Sequence, residues 1–298
     1  MAPSSPSNSP PTDSVGVPRL ALAWYATILA ASFGPILWAL FYQWQNDEDV
    51  GHGLFVPLIA GYMFWERREA WGGRDIACNL WGIVLVAWGT LQLWFGTIGA
   101  EIFLQRTAFL ITVTGILLFY KGPQALRRLA FPLILLLFMI PLPGILYKQI
   151  TFPLQLLASR LAETSIDRLG FMVIREGNVL ELAGRQISVV EACSGLRALH
   201  SLSFFSLSYA YLFDQRRWMR WFLLLCTVPV AVISNAARVV LTAIIGEYRP
   251  ELAEGAYHTV SGWFLFIFAL ALLIGIQKLT SVGLDRTPSE WPAAGESR

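Results

Sequence analysis

Residues 221–246 have the sequence WFLLLCTVPVAVISNAARVVLTAIIG, in which Arg238 is the only charged side chain. Crossing the hydrocarbon of a bilayer as a helix takes roughly 20 apolar residues, and this run is long enough. An arginine inside such a helix is costly, and it usually faces a polar cavity or a partner. The stretch therefore predicts a membrane-spanning helix that carries one functional or structurally paired charge.

The composition of the whole chain also indicates a membrane protein. Of its 298 residues, 55% are hydrophobic and 14% are charged, whereas a soluble domain carries about 25% charged residues. The net charge of +2 is too small to indicate a nucleic-acid partner, so the lipid bilayer is the predicted environment. Residues 1–19 and 281–298 predict disordered cytoplasmic tails around an integral membrane domain at 20–280.

Hydropathy predicts an all-α polytopic membrane protein with about eight transmembrane helices. Six spans meet the length requirement: 20–44, 80–99, 129–147, 195–213, 221–246 and 259–277. Two shorter runs, 53–65 and 107–120, need snorkelling flanks or local thinning of the bilayer to cross, and 53–65 is the shorter of the two.

The distribution of basic residues predicts the orientation of these spans. Segments 66–79, 121–128 and 214–220 and the tail after the last span are rich in Lys and Arg, and the loops between them are poor. Rich and poor segments alternate along the chain, as eight spans with both termini in the cytoplasm require. The base-poor loops and the long excursion 148–194 then face outward from the inner membrane.

The outer excursion combines a helix with a small β-meander. Residues 150–169 have apolar side chains at helical spacing and predict a helix at the interface or on the bundle. Three short β-prone runs follow at 172–174, 179–182 and 186–190, separated by glycine-containing turns. The meander is either a packing cap on the bundle or an edge that pairs with an extended peptide.

Cys193 is the one cysteine that this topology places on the outer face, because Cys78 falls in a cytoplasmic segment and Cys226 in the inner half of a span. A lone outward thiol has no disulfide partner. Its place just before a helix, with Ser194 as N-cap and Gly195 allowing close backbone approach, would lower the thiol pKa and favour the thiolate. The alternative is a small buried residue at a helix start.

Polar side chains near the same membrane face complete a candidate acyl-transfer site. Arg238 suits a developing oxyanion or a substrate carboxylate, and Asn235, one turn earlier, could orient Arg238 or a substrate carbonyl. Pairing of Arg238 with Glu191 or with an Asp of the first loop is the structural alternative. Either His258 or His52, both predicted to face outward, could exchange protons with the thiol and a leaving amine.

Four blocks of sequence resemble the exosortase/archaeosortase family of membrane transpeptidases: GHGLFVPLIAGYMFWERR (51–68), VVEACSGLRAL (189–199), SNAARVVLTAI (234–244) and AYHTVSGWFLF (256–266). The resemblance covers roughly residues 20–280, and the first block favours the bacterial exosortases. It implies Cys193 as nucleophile, Arg238 as electrostatic support and His258 as general acid and base. It also implies protein substrates with a C-terminal signal made of a Pro-Glu-Pro-type motif, an apolar helix and a basic cluster.

Other functions stay open at the level of sequence. A membrane-face cysteine protease would use water where a transpeptidase uses another acceptor nucleophile. A component of exopolysaccharide assembly or a transporter would lack peptidase activity and is expected to have broken helices around a polar midplane. The outer His, Cys and carboxylate residues lack metal-ligand spacing, and no phosphate-binding loop occurs, so neither a metal nor another cofactor is predicted.

Overall fold

The computed structural model describes residues 19–47, 50–68, 79–182, 185–188, 195–214, 216–248 and 256–285. The described helices are α1 (Arg19–Asn46), α2 (Phe55–Glu66), α3 (Leu80–Ile98), α4 (Ile102–Leu135), α5 (Gly144–Arg168), α6 (Gly195–Phe213), α7 (Arg217–Tyr248) and α8 (Ala256–Asp285). Short 3-10 helices occupy Gly51–Leu54 and Leu136–Met139, and a sheet is formed by β1 (Val173–Glu176), β2 (Val179–Leu182) and β3 (Arg185–Ser188). The chain divides into a first unit with α1–α4 and a second unit with α5–α8 and the sheet.

Five described helical segments are long and apolar enough to cross a membrane: Ala23–Asn46, Leu80–Ile98, Ile102–Met139, Arg217–Tyr248 and Val260–Val282. Large apolar side chains stand exposed on them, as a lipid solvent requires. The protein is thus a mostly helical, integral membrane protein, as predicted. The count of eight spans is not confirmed: α2 has only 12 residues, and α6, which matches the predicted 195–213, lies outside the five.

Helix α4 reverses direction at Gly122, where the backbone leaves helical geometry at φ 73° and ψ 179°. Its first limb (102–121) runs antiparallel to α1, since the rings of Tyr25 and Tyr120 pack at 6.5 Å and those of Phe33 and Phe109 at 5.4 Å. A straight continuation would carry Met139 about 25 Å beyond Gly122. Instead, Met139 lies back at the other end of the first limb. Trp44 near the end of α1 is found there, and its Nε1 donates a hydrogen bond to Met139 O at 2.9 Å.

This hairpin corrects several predicted boundaries. The predicted loop 121–128 is helical apart from the reversal, because one glycine with positive φ makes the turn that was assigned to eight residues. The predicted loop 100–106 is helical from Ile102 onward. The predicted span 129–147 leaves helical structure at Ile140, before Pro141 and Pro143, whose rings cannot continue a helix.

The first limb of α4 packs against α3 along a line of glycines spaced by seven residues, Gly82, Gly89 and Gly96. A Cβ at Gly82 would lie 2.5 Å from Phe119 N, and one at Gly96 would lie 3.0 Å from Gln105 N. Small residues let two helix backbones approach this closely in a membrane, where packing rather than hydrophobic burial holds helices together. Gln92 adds a hydrogen bond from Nε2 to Thr107 Oγ1 at 2.6 Å.

In the second unit, the antiparallel sheet β1–β2–β3 packs one face against α5 and α7. Leu180, Leu182 and Ile187 meet Ala162 and Ile166 of α5 and Val239 and Ala243 of α7 in one apolar cluster. Gly177 makes the β1–β2 turn with φ 65°. The predicted meander is confirmed, and its packed face supports the cap interpretation; pairing of its edge with a peptide stays a prediction.

Several ends of the second unit differ from prediction by a few residues. The helix predicted at 150–169 begins earlier, at Gly144, directly after Pro143 has set the entry to its first turn. Helix α7 includes residues 217–220 of a predicted loop, and α8 continues to Asp285, into the predicted tail. The extensions of α7 and α8 add polar residues to the ends of apolar helices, where headgroups and water can solvate them.

Substituting Gly82→Ala should destabilise the protein by about 1–3 kcal/mol, since the new methyl group meets backbone that cannot move away cheaply. The thermal unfolding midpoint of the detergent-solubilised protein measures this. Gly61→Ala is the matched control, because a Cβ there would have nothing within 4 Å. Equal midpoints for the two variants would show that the close α3–α4 contact does not contribute to stability.

Candidate active site

Arg238 lies within α7, on the half of the helix that follows Pro229. Its side chain is half-buried, and its neighbour Val239 is fully buried in the cluster that holds the sheet. The position is fixed from two directions, because α7 packs against α5 on one side and against α8 on another. Arg238 is therefore a cation held within a packed helical bundle.

The guanidinium of Arg238 lies over Gly262 of α8. A Cβ built on Gly262 would stand 3.1 Å from Arg238 Nη2, 3.3 Å from Cζ and 3.5 Å from Nη1. A bare glycine backbone thus provides the surface on which the planar cation rests. Any side chain at this position would have to share the space that the guanidinium occupies.

His258 lies on α8, the helix that also carries Gly262. His258 is the third residue of α8 and precedes Gly262 by four residues, so the two positions share one helix face. The backbone therefore places position 258 on the α8 face that carries the Arg238 guanidinium. The His258 side chain itself lies outside the described residues, and its role as acid and base stays a prediction.

Asn235 stands where the sequence predicts it, one helical turn before Arg238 on α7. Its side chain is buried, with 8% of its surface exposed. Residues three apart are neighbours on a helix surface. A buried amide next to a half-buried guanidinium is a polar pair set into an otherwise apolar helix, which is the arrangement expected where a helix borders a site.

The sheet and α6 bracket the segment that contains Cys193. Strand β3 ends at Ser188, with Ile187 in the same cluster as Val239, and α6 begins at Gly195 and packs against α7. Glu191, Cys193 and Ser194 lie outside the described residues. Both flanks of their segment thus contact the helix that carries Arg238.

His52 belongs to the first unit, where it lies in the 3-10 helix Gly51–Leu54 with 8% of its surface exposed. The following residue, Gly53, leaves room for the indole of Trp44. A Cβ at position 53 would clash with Trp44 Nε1. The described residues thus place His52 in the first unit and position 258 in the second. Which histidine acts on the thiol stays a prediction.

Two residues that the sequence did not single out are prominent in the structure. Gly262 matters because the Arg238 guanidinium covers it, and its place one turn after His258 was the only signal in the sequence. Arg106, assigned to a loop by hydropathy, is buried in α4. Cys226, in contrast, packs as expected, half-buried and free beside the apolar cluster of Val230, Ala231 and Leu273.

Comparison with known proteins identifies the family. A family model described as transmembrane exosortase matches residues 44–275. No curated protein and no solved structure shows significant similarity to the chain. The matched range contains α2–α7, the sheet, both candidate histidine positions, Cys193 and Arg238, and it covers far more than half of the sequence. The chain therefore belongs to the transmembrane exosortase family.

Proposed function

We propose that this exosortase is a cysteine transpeptidase that cleaves C-terminal sorting signals of protein substrates at the outer face of the inner membrane. The observation that carries the proposal is the Arg238 guanidinium held over Gly262, on the α8 face that also bears position 258. Family membership supports cysteine transpeptidase chemistry. The substrate signal, the acceptor and the side of the membrane are parts of the proposal.

In the proposed first half-reaction, the Cys193 thiolate attacks the carbonyl carbon of the scissile peptide bond. A C–S bond forms, and the carbonyl electron pair moves to oxygen, where the Arg238 guanidinium stabilises the negative charge. Collapse of this intermediate breaks the C–N bond. His258, protonated by the thiol, gives its proton to the leaving amine, and the substrate remains as a thioester on Cys193.

In the second half-reaction, an acceptor attacks the thioester carbon. An amine or hydroxyl acceptor gives a transpeptidation product, and water gives simple hydrolysis. His258 takes the proton from the acceptor as it attacks and returns it to the sulfur as the C–S bond breaks. The cycle ends with the free thiol, so the enzyme needs no oxidant, reductant or external proton source.

The magnitudes involved are compatible with an electrostatic role for Arg238 in the reaction. Placing an arginine at the centre of a membrane helix costs about 2.5–3.5 kcal/mol on insertion scales. One preorganised donor to an oxyanion supplies about 2.7–4 kcal/mol of transition-state stabilisation. The half-buried position on α7 suits this use, because a charge partly removed from water interacts more strongly with a developing oxyanion.

Cys193→Ala should abolish cleavage of a tagged reporter that ends in a Pro-Glu-Pro motif, an apolar helix and a basic cluster. Arg238→Ala and His258→Ala should each lower its rate roughly 10²–10³-fold. Co-expression followed by gel mobility and intact mass measures both the extent of cleavage and the group added to the new C-terminus. Cys226→Ala is the matched control and should cleave normally, since Cys226 packs against apolar side chains. Normal cleavage by Cys193→Ala would contradict the mechanism.

Gly262→Ala should slow cleavage about tenfold or more, because the added methyl group displaces the guanidinium by a few tenths of an ångström and misplacement weakens transition-state contacts. Gly275→Ala, on the same helix with nothing within 4 Å of its Cβ, should retain wild-type rates. Both variants gain a residue with higher helix propensity, so propensity alone cannot separate them. Equal rates would show that the Arg238–Gly262 contact is irrelevant to catalysis.

Cys193 should react with a membrane-impermeant maleimide added to intact spheroplasts when Cys78 and Cys226 are both replaced by Ser. The expectation follows from the predicted orientation, with both termini in the cytoplasm. The measurement is the mobility shift of the single-cysteine protein, compared before and after permeabilisation. Labelling that requires permeabilisation would place Cys193 on the cytoplasmic side and overturn the proposed topology.

A further inference from the structure

Arg106 is an unusual residue in the first unit. It lies in the second turn of α4, a helix long and apolar enough to span the membrane, and only 6% of its surface is exposed. Its Nε is buried and has no hydrogen-bond partner. Within the part of the chain that the structure describes, no ion pair or hydrogen bond involves this side chain. The residue is thus almost fully enclosed, its Nε is buried, and its charge has no partner among the described residues.

The packing of α4 locates this charge at one end of the first unit. Because the first limb of α4 runs antiparallel to α1, Arg106 lies toward the end where α1 finishes at Asn46. Helical side chains lean toward the N-terminus of their helix. That direction leads out of the apolar zone, toward the end of the unit that the basic-residue pattern assigns to the outside.

A structural role does not account for such a residue. A buried charge without a partner is destabilising, and an apolar side chain of similar volume at this position would avoid the cost of its desolvation. Intramembrane cations of this kind generally mark sites for ions or substrates. No anion pairs with Arg106 in the described part of the chain, and its planar fork of N–H groups matches an oxyanion that accepts two parallel hydrogen bonds.

We propose that Arg106 binds the carboxylate of an acidic side chain in the recognition segment of the substrate protein. This inference rests on the proposed function and adds a specificity-determining residue to it. A carboxylate is planar, carries one charge and is attached through a slender methylene stem, so it suits a guanidinium that is almost enclosed. A lipid phosphodiester is tetrahedral and carries two bulky ester arms.

The same burial would make recognition selective. A substrate with an amide in place of the acid would leave the guanidinium buried and unpaired, and sites built around a buried polar group reject such analogues strongly. An exposed arginine would discriminate much less, because water would replace the missing partner. Because only 6% of Arg106 is exposed, we expect it to distinguish a substrate with the acid from one with the amide.

The test is a double-mutant cycle on reporter cleavage that combines wild type or Arg106→Gln enzyme with the reporter motif Pro-Glu-Pro or Pro-Gln-Pro. Each single change should lower the cleavage rate about a hundredfold, as expected for truncating one member of a buried charged pair. The two together should cost little more than either alone. Arg127→Gln, an exposed arginine on the same helix, is the matched control and should cleave both reporters like wild type.

Peptide binding to the inactive Cys193→Ala enzyme tests the role of Arg106 separately from catalysis. A fluorescent peptide with the Glu-containing motif should bind more tightly than its Gln counterpart, and Arg106→Gln should erase that difference. Loss of reporter cleavage by the wild type would count against the proposed function, whereas this binding comparison would still support or overturn the role of Arg106. Equal effects of Arg106→Gln on both peptides, or on both reporters, would overturn it.

A lipid phosphate is the competing ligand, and nanodiscs distinguish it. If Arg106 binds an anionic headgroup, anionic nanodiscs should raise the thermal midpoint of the wild type relative to zwitterionic ones, and Arg106→Gln should remove that gain. This result would overturn the substrate assignment. Under the inference, Arg106→Gln and wild type should respond equally to lipid charge, and only the Glu-containing peptide should stabilise the wild type more than the variant.

Discussion

The second unit is organised around one arginine charge that has to be held inside an apolar helix. The Arg238 guanidinium of α7 rests on the bare backbone of Gly262 in α8, and Gly262 adds no side chain of its own at this contact. On another side of α7, the residue after Arg238 is buried with the sheet and α5. The helix is therefore held by packing on both sides at the position of Arg238.

This arrangement explains why a small sheet belongs to a membrane protein of this kind. Leu180, Leu182 and Ile187 pack on α5 and α7, and the ion pair between Arg175 and Glu163 at 2.6 Å ties β1 to α5. The chain then passes from β3 through the Cys193 segment to α6, which also packs on α7. Both described flanks of that segment, β3 and α6, thus contact the helix that carries Arg238.

Much of the fold follows from the sequence because the lipid bilayer allows few backbone structures. In lipid every backbone polar group needs an internal partner, so long apolar runs form helices, and the predicted 195–213 and 179–182 match α6 and β2. The sequence predicted a reversal between the spans 107–120 and 129–147, but it did not show that Gly122 alone makes the turn, since a single glycine in a polar-flanked segment resembles an ordinary loop. Nor did it show that α4 includes Arg106, because a hydropathy window penalises a charge that the bundle in fact encloses.

The position of Arg238 in an apolar helix and of Asn235 one turn before it followed from the sequence, whereas the roles of Cys193 and His258 stay predictions. Cysteine, arginine and histidine have intrinsic chemistry, and the resemblance to exosortases is what implies their roles. Gly262 has no such chemistry, and its contribution exists only because a guanidinium lies over it. The same reasoning separates the two arginines. Arg238 is half-buried and Arg106 almost fully buried, so the first can follow charge that develops and disappears during a reaction, while the second suits a charge that stays constant while the substrate is bound.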